Sequence, residues 1–280
     1  MSIWNTLNNV DYTLRHVQVG DWNTRVLEAG SGPALILMHG TGGHLEAYSR
    51  NIEALAEHFR VIAYDFPGHG YTTFSDHDLE TPEYVSHLKE LMHELGIERA
   101  HLSGESLGGW VSIKFAATHP ELVDRMVLNT PGGTMATPEV MERIRSLSQA
   151  AADDPQPATV RARLEWLMAD PSSVTDELVA IRRGIYSQPG FADSMKHILC
   201  LQNPTIRARN IVSGDLPSIS TPALVVWTSD DPSGPAGEGM RMAEEMPNGE
   251  FQLISNAGHW PQWEQTEVYN KCLVEFLTRN

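Results

Sequence analysis

Hydrophobic and polar positions along the first half of the chain switch repeatedly between two periods. Short apolar runs rich in β-formers recur as "RHVQV" (15–19), "RVLEA" (25–29), "ALILMH" (34–39), "RVIAYD" (60–65), "RAHLSG" (99–104) and "RMVLNT" (125–130). Between several of them the apolar positions fall three and four apart, the spacing of one helix face. In "YSRNIEALAEHF" (48–59) they are Ile52, Leu55, Ala56 and Phe59; in "TPEYVSHLKELMHEL" (81–95) they are Val85, Leu88, Leu91, Met92 and Leu95. The spacing predicts a helix over each, the second with Thr81 as N-cap, Pro82 as first helical residue and Gly96 as stop. Strands alternating with helices predict a mostly parallel sheet covered on both faces. The first two strands have no helix between them and are expected to form an antiparallel edge.

The alternation stops at about residue 135. From there to 212 every pattern is helical: "TPEVMERIRSLSQAA", "TVRARLEWLMAD", "VTDELVAIRRGIY" and "FADSMKHILCLQ", separated by turns at Pro155, Pro157, Pro171 and Pro189. The strand signal returns at "ALVVWTS" (223–229) and "EFQLIS" (250–255), with helices expected near 237–246 and 264–278. The simplest organisation is an α/β core formed by 1–134 and 213–280, interrupted by a helical insertion, 135–212. Repeats, low-complexity tracts and long linkers are absent from the sequence.

Composition narrows the partners. In 280 residues, 20 Lys and Arg face 36 Asp and Glu, a formal charge of −16. So acidic a surface repels phosphate backbones and anionic membranes, which argues against nucleic acid and lipid as partners. It leaves an anionic small substrate open, because one buried arginine overrides a distant field locally. The first 16 residues do not resemble a signal peptide, and no apolar run reaches membrane-spanning length. Cys200 and Cys272 match no metal or redox spacing and are expected to be free thiols in a reducing cytoplasm. No cofactor or metal is called for, and a homo-oligomer is left open.

The stretch "HLSGESLGGW" (101–110) carries the chemistry. It joins a strand, "AHLSG", to an apolar helix, "LGGWVSIKFAATH". A turn this sharp forces Ser106 into a strained conformation and requires small neighbours two residues away on each side, met by Gly104 and Gly108. It lifts the hydroxyl above the carboxyl ends of the strands, where open α/β sheets keep their ligand crevices. A serine hydroxyl needs a base, and the base an orienting acid. His259, in the loop "NAGHWPQWE" after the last strand, is the candidate base; helix-borne His58, His93 and His119 are expected to be solvated. Asp231, in "SDDPSGP" after the preceding strand, is the candidate acid, with Asp230 as its rival. For the developing oxyanion, one N–H is expected from Leu107 and a second from Thr41 or Gly42, in the loop following "LILMHG".

Together, "HGTGG", "DFPGHGYT", "GESLGG", "SDDPSGP" and "GHWPQWE" resemble the α/β-hydrolase fold over nearly the whole chain. The resemblance implies a mostly parallel sheet flanked by helices, with an inserted helical lid. The ending "GHWPQWEQTEVYNKCLVEFL" and the segment "LNTPGGTMATPEVMERI" further resemble the meta-cleavage product hydrolases, which cut a carbon–carbon bond in 2-hydroxy-6-oxo-hexa-2,4-dienoates from aromatic degradation. That resemblance implies an anionic dienoate substrate. It places Arg182 where the family's lid arginine would bind the carboxylate, with Arg183 as competitor, and it places Trp260 on the pocket wall. Two positions depart from the pattern. Glu105 stands where most members have Asn before the nucleophile, and Ala47 falls where many have a second Asn, with His44 or Glu46 as substitutes. A carboxylesterase or lactonase would use the same triad, and a non-enzymatic ligand receptor can retain it.

Overall fold

The computed structural model describes residues 2–134 and 136–279, so the expected start of the insertion, at residue 135, lies outside the described residues. Eight strands form one sheet: β1 (Tyr12–Val19), β2 (Trp22–Ala29), β3 (Ala34–Met38), β4 (Arg60–Tyr64), β5 (Ala100–Glu105), β6 (Val123–Asn129), β7 (Ala223–Thr228) and β8 (Gly249–Ile254). Their spatial order is β1-β2-β4-β3-β5-β6-β7-β8. β1 pairs antiparallel with β2, and β2 with β4; the other neighbours are parallel. The strands that read as unbroken apolar runs are those in the middle of the sheet. Every residue of β5 and β7 is buried, whereas β1, at the edge, is mostly exposed. A parallel strand covered by helices on both sides has no solvent face on which to place polar residues.

The helices of the core are α1 (Ile52–Ala56), α2 (Thr81–Glu94) and α3 (Leu107–Thr118). Between β6 and β7 come α4 (Pro138–Asp153), α5 (Pro157–Glu165), α6 (Asp176–Tyr186), α7 (Phe191–Ile198) and α8 (Pro204–Asn210), and after β7 come α9 (Ala236–Glu245), α10 (Pro261–Glu264) and α11 (Thr266–Leu277). Two expectations need correction. The helix expected over 48–59 is only α1, preceded by a 3-10 turn at Leu45–Tyr48. The chain bends at Asn51, whose side-chain amide reaches the Gln262 carbonyl at 3.1 Å and Asn270 Oδ1 at 2.8 Å. The N-cap of α2 is Glu80 rather than Thr81, because Thr81 gives both its amide and its hydroxyl to Asn210 Oδ1. The closing helix expected near 264–278 is α11, with the short α10 just before it.

The turn from β5 into α3 is the tightest feature of the fold. Ser106 has φ +52° and ψ −107°, a conformation that L-residues rarely adopt. Its amide donates to the Asn129 carbonyl of β6 at 3.0 Å, and its carbonyl accepts from Trp110 and Gly132. A Cβ on Gly104 would lie 2.2 Å from the Gly108 carbonyl, and one on Gly108 would lie 2.2 Å from the Met38 carbonyl in β3. Both glycines are therefore demanded by close approach of backbone to backbone, which cannot relax as a side chain can.

Gly108→Ala should destabilise the fold by about 3 kcal/mol or more, at or above the upper end of ordinary overpacking costs. Urea denaturation checks this; a loss under about 1 kcal/mol would mean that β3 and α3 can separate freely.

Candidate active site

The loops after β3, β5, β7 and β8 meet above the carboxyl ends of those strands. They border a cavity of about 660 Å³ whose walls include Thr41, Ser106, Leu107, Asp231, His259 and Trp260. Residues of the helical segment between β6 and β7 complete it, among them Val140, Ile144, Trp166 and Arg182. The sequence-expected nucleophile, base and acid thus reach one space from three separate loops.

Asp231 and His259 are joined directly. Both carboxylate oxygens lie 3.0 Å from Nδ1 of His259. The turn "DPSG" fixes the aspartate: Ser233 donates its amide (2.8 Å) and its hydroxyl (2.7 Å) to Asp231 Oδ1. Asp230 points elsewhere and accepts from the Ser229 hydroxyl at 2.6 Å. Sequence reasoning did not single out Ser233. Its signal was present, since a residue two after an Asp is the usual donor to that side chain.

The third link is different. Nε2 of His259 faces Glu105 Oε1 at 3.2 Å, and it makes no hydrogen bond to Ser106 in this conformation. Glu105 is buried, and its Oε2 has no partner among the described residues. The carboxylate fits only because residue 40 is glycine, since a Cβ there would lie 2.6 Å from both oxygens. The imidazole therefore sits between two buried carboxylates. Burial alone would lower its proton affinity, but attraction to Asp231 and hydrogen bonding to Asp231 and Glu105 outweigh this and push it up to about 10. The two acids favour the protonated ring, with one ring nitrogen facing each of them.

The backbone of the histidine loop is clamped from the helical segment. The His259 amide donates to the Leu167 carbonyl at 2.6 Å. Glu264, of the "QWE" motif, accepts from the amides of Gly258, Ala169 and Asp170. A Cβ on Gly258 would lie 2.4 Å from the Leu167 oxygen. Gln262, of the same motif, accepts from Asn129 Nδ2 at 2.7 Å and so ties α10 to β6.

The remaining expected residues divide. Thr41 and Leu107 border the cavity. Gly42 is not on its wall; it has φ +69°, and its carbonyl accepts from the Tyr186 hydroxyl at 2.7 Å. Trp260 is buried on the wall, with the Arg182 guanidinium 5.3 Å from its ring centre. Arg182 is 1% exposed, and its Nη2 has no partner among the described residues. Arg183 turns outward, to the Pro155 carbonyl. His44, expected to contact substrate, is set one step back. Its Nε2 accepts from Arg182 Nε at 3.4 Å, and its Nδ1 pairs with Glu46, which pairs in turn with Arg25. Ala47 is fully buried. No cluster of three or more His, Cys, Asp or Glu among the described residues could hold a metal ion, and none of their helices is long and apolar enough to cross a membrane.

A family model described as the alpha/beta hydrolase family matches residues 35–271. The chain belongs to that family. Among curated relatives, this hydrolase is 33% identical over 265 residues, 90% of both chains, to a 2-hydroxy-6-oxononadienedioate/2-hydroxy-6-oxononatrienedioate hydrolase of Burkholderia vietnamiensis. It is 32% identical over 279 residues to a 2-hydroxy-6-oxo-6-phenylhexa-2,4-dienoate hydrolase of Burkholderia cepacia, covering 95% of this chain and 94% of the other. Among solved structures, it superimposes on the meta-cleavage product hydrolase of Pseudomonas fluorescens IP01 with a TM-score of 0.82 at 29% identity, covering 94% of this chain and 96% of that one.

The two carboxylates around His259 set a pH dependence. The folded value of about 10 lies above the ordinary 6.5, so the folded chain binds the extra proton between those values. The stability it contributes is complete below about pH 6.5 and is lost as the pH rises through about 10. Glu105→Gln should flatten this decline in thermal midpoint and move the acidic limb of the kcat/KM profile to lower pH. Parallel profiles of the two proteins would show that Glu105 does not act on the histidine.

Proposed function

We propose that this hydrolase cleaves the C5–C6 bond of a 2-hydroxy-6-oxo-hexa-2,4-dienoate, with Ser106, His259 and Asp231 as catalytic triad and the helical segment 135–212 as a lid over the site. The observation that carries the reading is Arg182. A buried guanidinium with a free donor stands on the wall of the cavity that holds Ser106 and His259, and it suits a substrate with a carboxylate at one end. The names of the relatives support the same reaction but divide over the group attached to C6.

The chemistry orders the steps. In the dienol, C5 is an sp2 carbon, and its bond to C6 has nowhere to place an electron pair. A proton must first leave the C2 hydroxyl and another be added at C5, giving a C2 ketone conjugated through C3 and C4. His259 gives the proton it holds at rest to C5 while the C2 hydroxyl proton leaves to solvent, and the ring, then neutral, takes the proton of Ser106 or of the attacking water as base. Ser106, or a water that it positions, adds to the C6 carbonyl. The amides of Leu107 and of Thr41 are the donors for the oxyanion that forms; Gly42, its carbonyl held by Tyr186, is the weaker candidate. When C5–C6 breaks, the electron pair moves toward the C2 carbonyl and the dienol is restored. C6 leaves as a carboxylic acid, directly if water attacks, or after hydrolysis of an acyl-serine. Asp231 holds the imidazole through Nδ1 throughout.

Ser106→Ala should lower kcat by at least about a thousandfold, as for loss of a triad nucleophile, while dienoate binding persists. The dienoate absorbs strongly and bleaches on cleavage, so stopped-flow absorbance reads both; near-normal bleaching by the variant would remove Ser106 from the mechanism. Arg182→Gln should lower kcat/KM on a dienoate by about one to two orders of magnitude, since a charge-assisted pair is worth roughly 1.5–3 kcal/mol. Hydrolysis of a neutral p-nitrophenyl ester should suffer much less, because no carboxylate is held. Equal losses on both substrates would make the arginine structural.

A further inference from the structure

Four arginines are buried among the described residues: Arg25, Arg163, Arg182 and Arg207. Two have a full set of partners. Arg25 pairs with Glu46 and Asp65, and Arg207 donates to the carbonyls of Thr134 and Leu201. The other two, Arg163 and Arg182, have, like Arg207, no carboxylate partner, and unlike it each has a terminal nitrogen with no acceptor among the described residues. All three border the same cavity. Arg163 makes one hydrogen bond, from Nε to the Ser148 hydroxyl of α4 at 2.8 Å, and its guanidinium lies 5.3 Å from the Trp166 ring.

A buried guanidinium without an anion is costly, and two in one cavity repel each other as well. Burial, together with the like charge of Arg182, lowers Arg163 to about 10 despite partial relief from Tyr186 and Glu105; it remains a cation at neutral pH. Glu105 relieves Arg163 only in part and is hydrogen-bonded to neither arginine, so the free donors are left for what the cavity receives. The two cations are anchored at different places. Arg182 of α6 stands against Trp260 and His44, and Arg163 of α5 stands against Trp166 and Ser148 of α4. A single carboxylate at Arg182 leaves Arg163 uncompensated.

We infer that Arg163 is a second carboxylate anchor, and that the substrate is a dicarboxylate: a dienoate held at C1 by Arg182 whose C6 acyl chain ends in a carboxylate held by Arg163. This rests on the carbon–carbon hydrolase reading and specifies its substrate class. The group released from C6 is then a diacid, and the ring-opening reaction that supplies the substrate acts on an aromatic ring bearing a carboxyalkyl side chain.

The test compares 2-hydroxy-6-oxonona-2,4-dienedioate with 2-hydroxy-6-oxohepta-2,4-dienoate, which lacks the second carboxylate. The wild-type protein should favour the diacid in kcat/KM by about tenfold or more, the usual reach of one charge-assisted pair. Arg163→Met should lower that ratio at least about tenfold, chiefly through KM, and Arg163→Lys, which keeps the charge, should retain part of it. A wild-type preference for the methyl ketone, or an unchanged ratio in Arg163→Met, overturns the inference; the second result would also follow if both arginines gripped one carboxylate. If the wild-type protein cleaves neither dienoate, the hydrolase reading falls, and calorimetric binding of nonanedioate against nonanoate decides the anion site by itself. Tighter binding of the diacid that is lost in Arg163→Met upholds the site, and equal binding removes it.

Discussion

The reversal between β5 and α3 fixes where everything else in the site has to be. At Ser106 the backbone turns through a conformation that side-chain-bearing residues avoid, and it is held there by the neighbouring strand and by glycines in backbone contact. Because Gly108 touches the Met38 carbonyl, the start of α3 is set against the end of β3, and with it the loop carrying Thr41. Because the Ser106 amide is tied to β6, the turn is also set against the strand that leads into the helical segment. The cavity inherits its shape from these contacts before any catalytic side chain is considered.

Within that frame the site holds charge that the chain itself does not fully pair. His259 lies between Asp231 and Glu105, while Arg163 and Arg182 each keep a terminal nitrogen without an acceptor among the described residues. Glu105 and Ser106 are adjacent in sequence, and both are candidates for Nε2 of His259. In this conformation the carboxylate has it. Nε2 is therefore engaged in this conformation, and negative charge brought into the cavity would change the field that holds it so.

The core was legible because its physics is local. Strands buried on both faces are mostly apolar, and the runs at 34–39, 60–65, 125–130 and 223–229 show it. Ser106, His259 and Asp231 were legible because strand ends, glycines and a turn motif mark each of them, and the Ser233 donors to Asp231 explain why it, and not Asp230, meets the histidine. What failed depended on distant contacts. The helix at 48–59 was cut short by an asparagine reaching α10 and α11. α8, seven residues long, carried too little periodicity to be seen. Arg163 looks in sequence like one more charge on an amphipathic helix; its burial comes from α4 and Trp166 packing over it. His44 was placed in the right neighbourhood but one contact too far forward, since a loop sequence does not say which side chain stands in front.

The clamp between Leu167 and the histidine loop bears on how such a chain can be remodelled. The segment that carries Arg163 and Arg182 also supplies the carbonyl that accepts from the His259 amide and the two amides that donate to Glu264. The part proposed to select the ligand and the part proposed to transfer protons are thus not separate modules. A transplant of the helical segment from another hydrolase would exchange Arg163 and Arg182 and unseat the His259 loop in the same step, unless the stretch around 167–170 kept its backbone path. Diversification of this scaffold is easiest through single side chains on α4, α5 and α6, with the backbone that joins them to the core left alone.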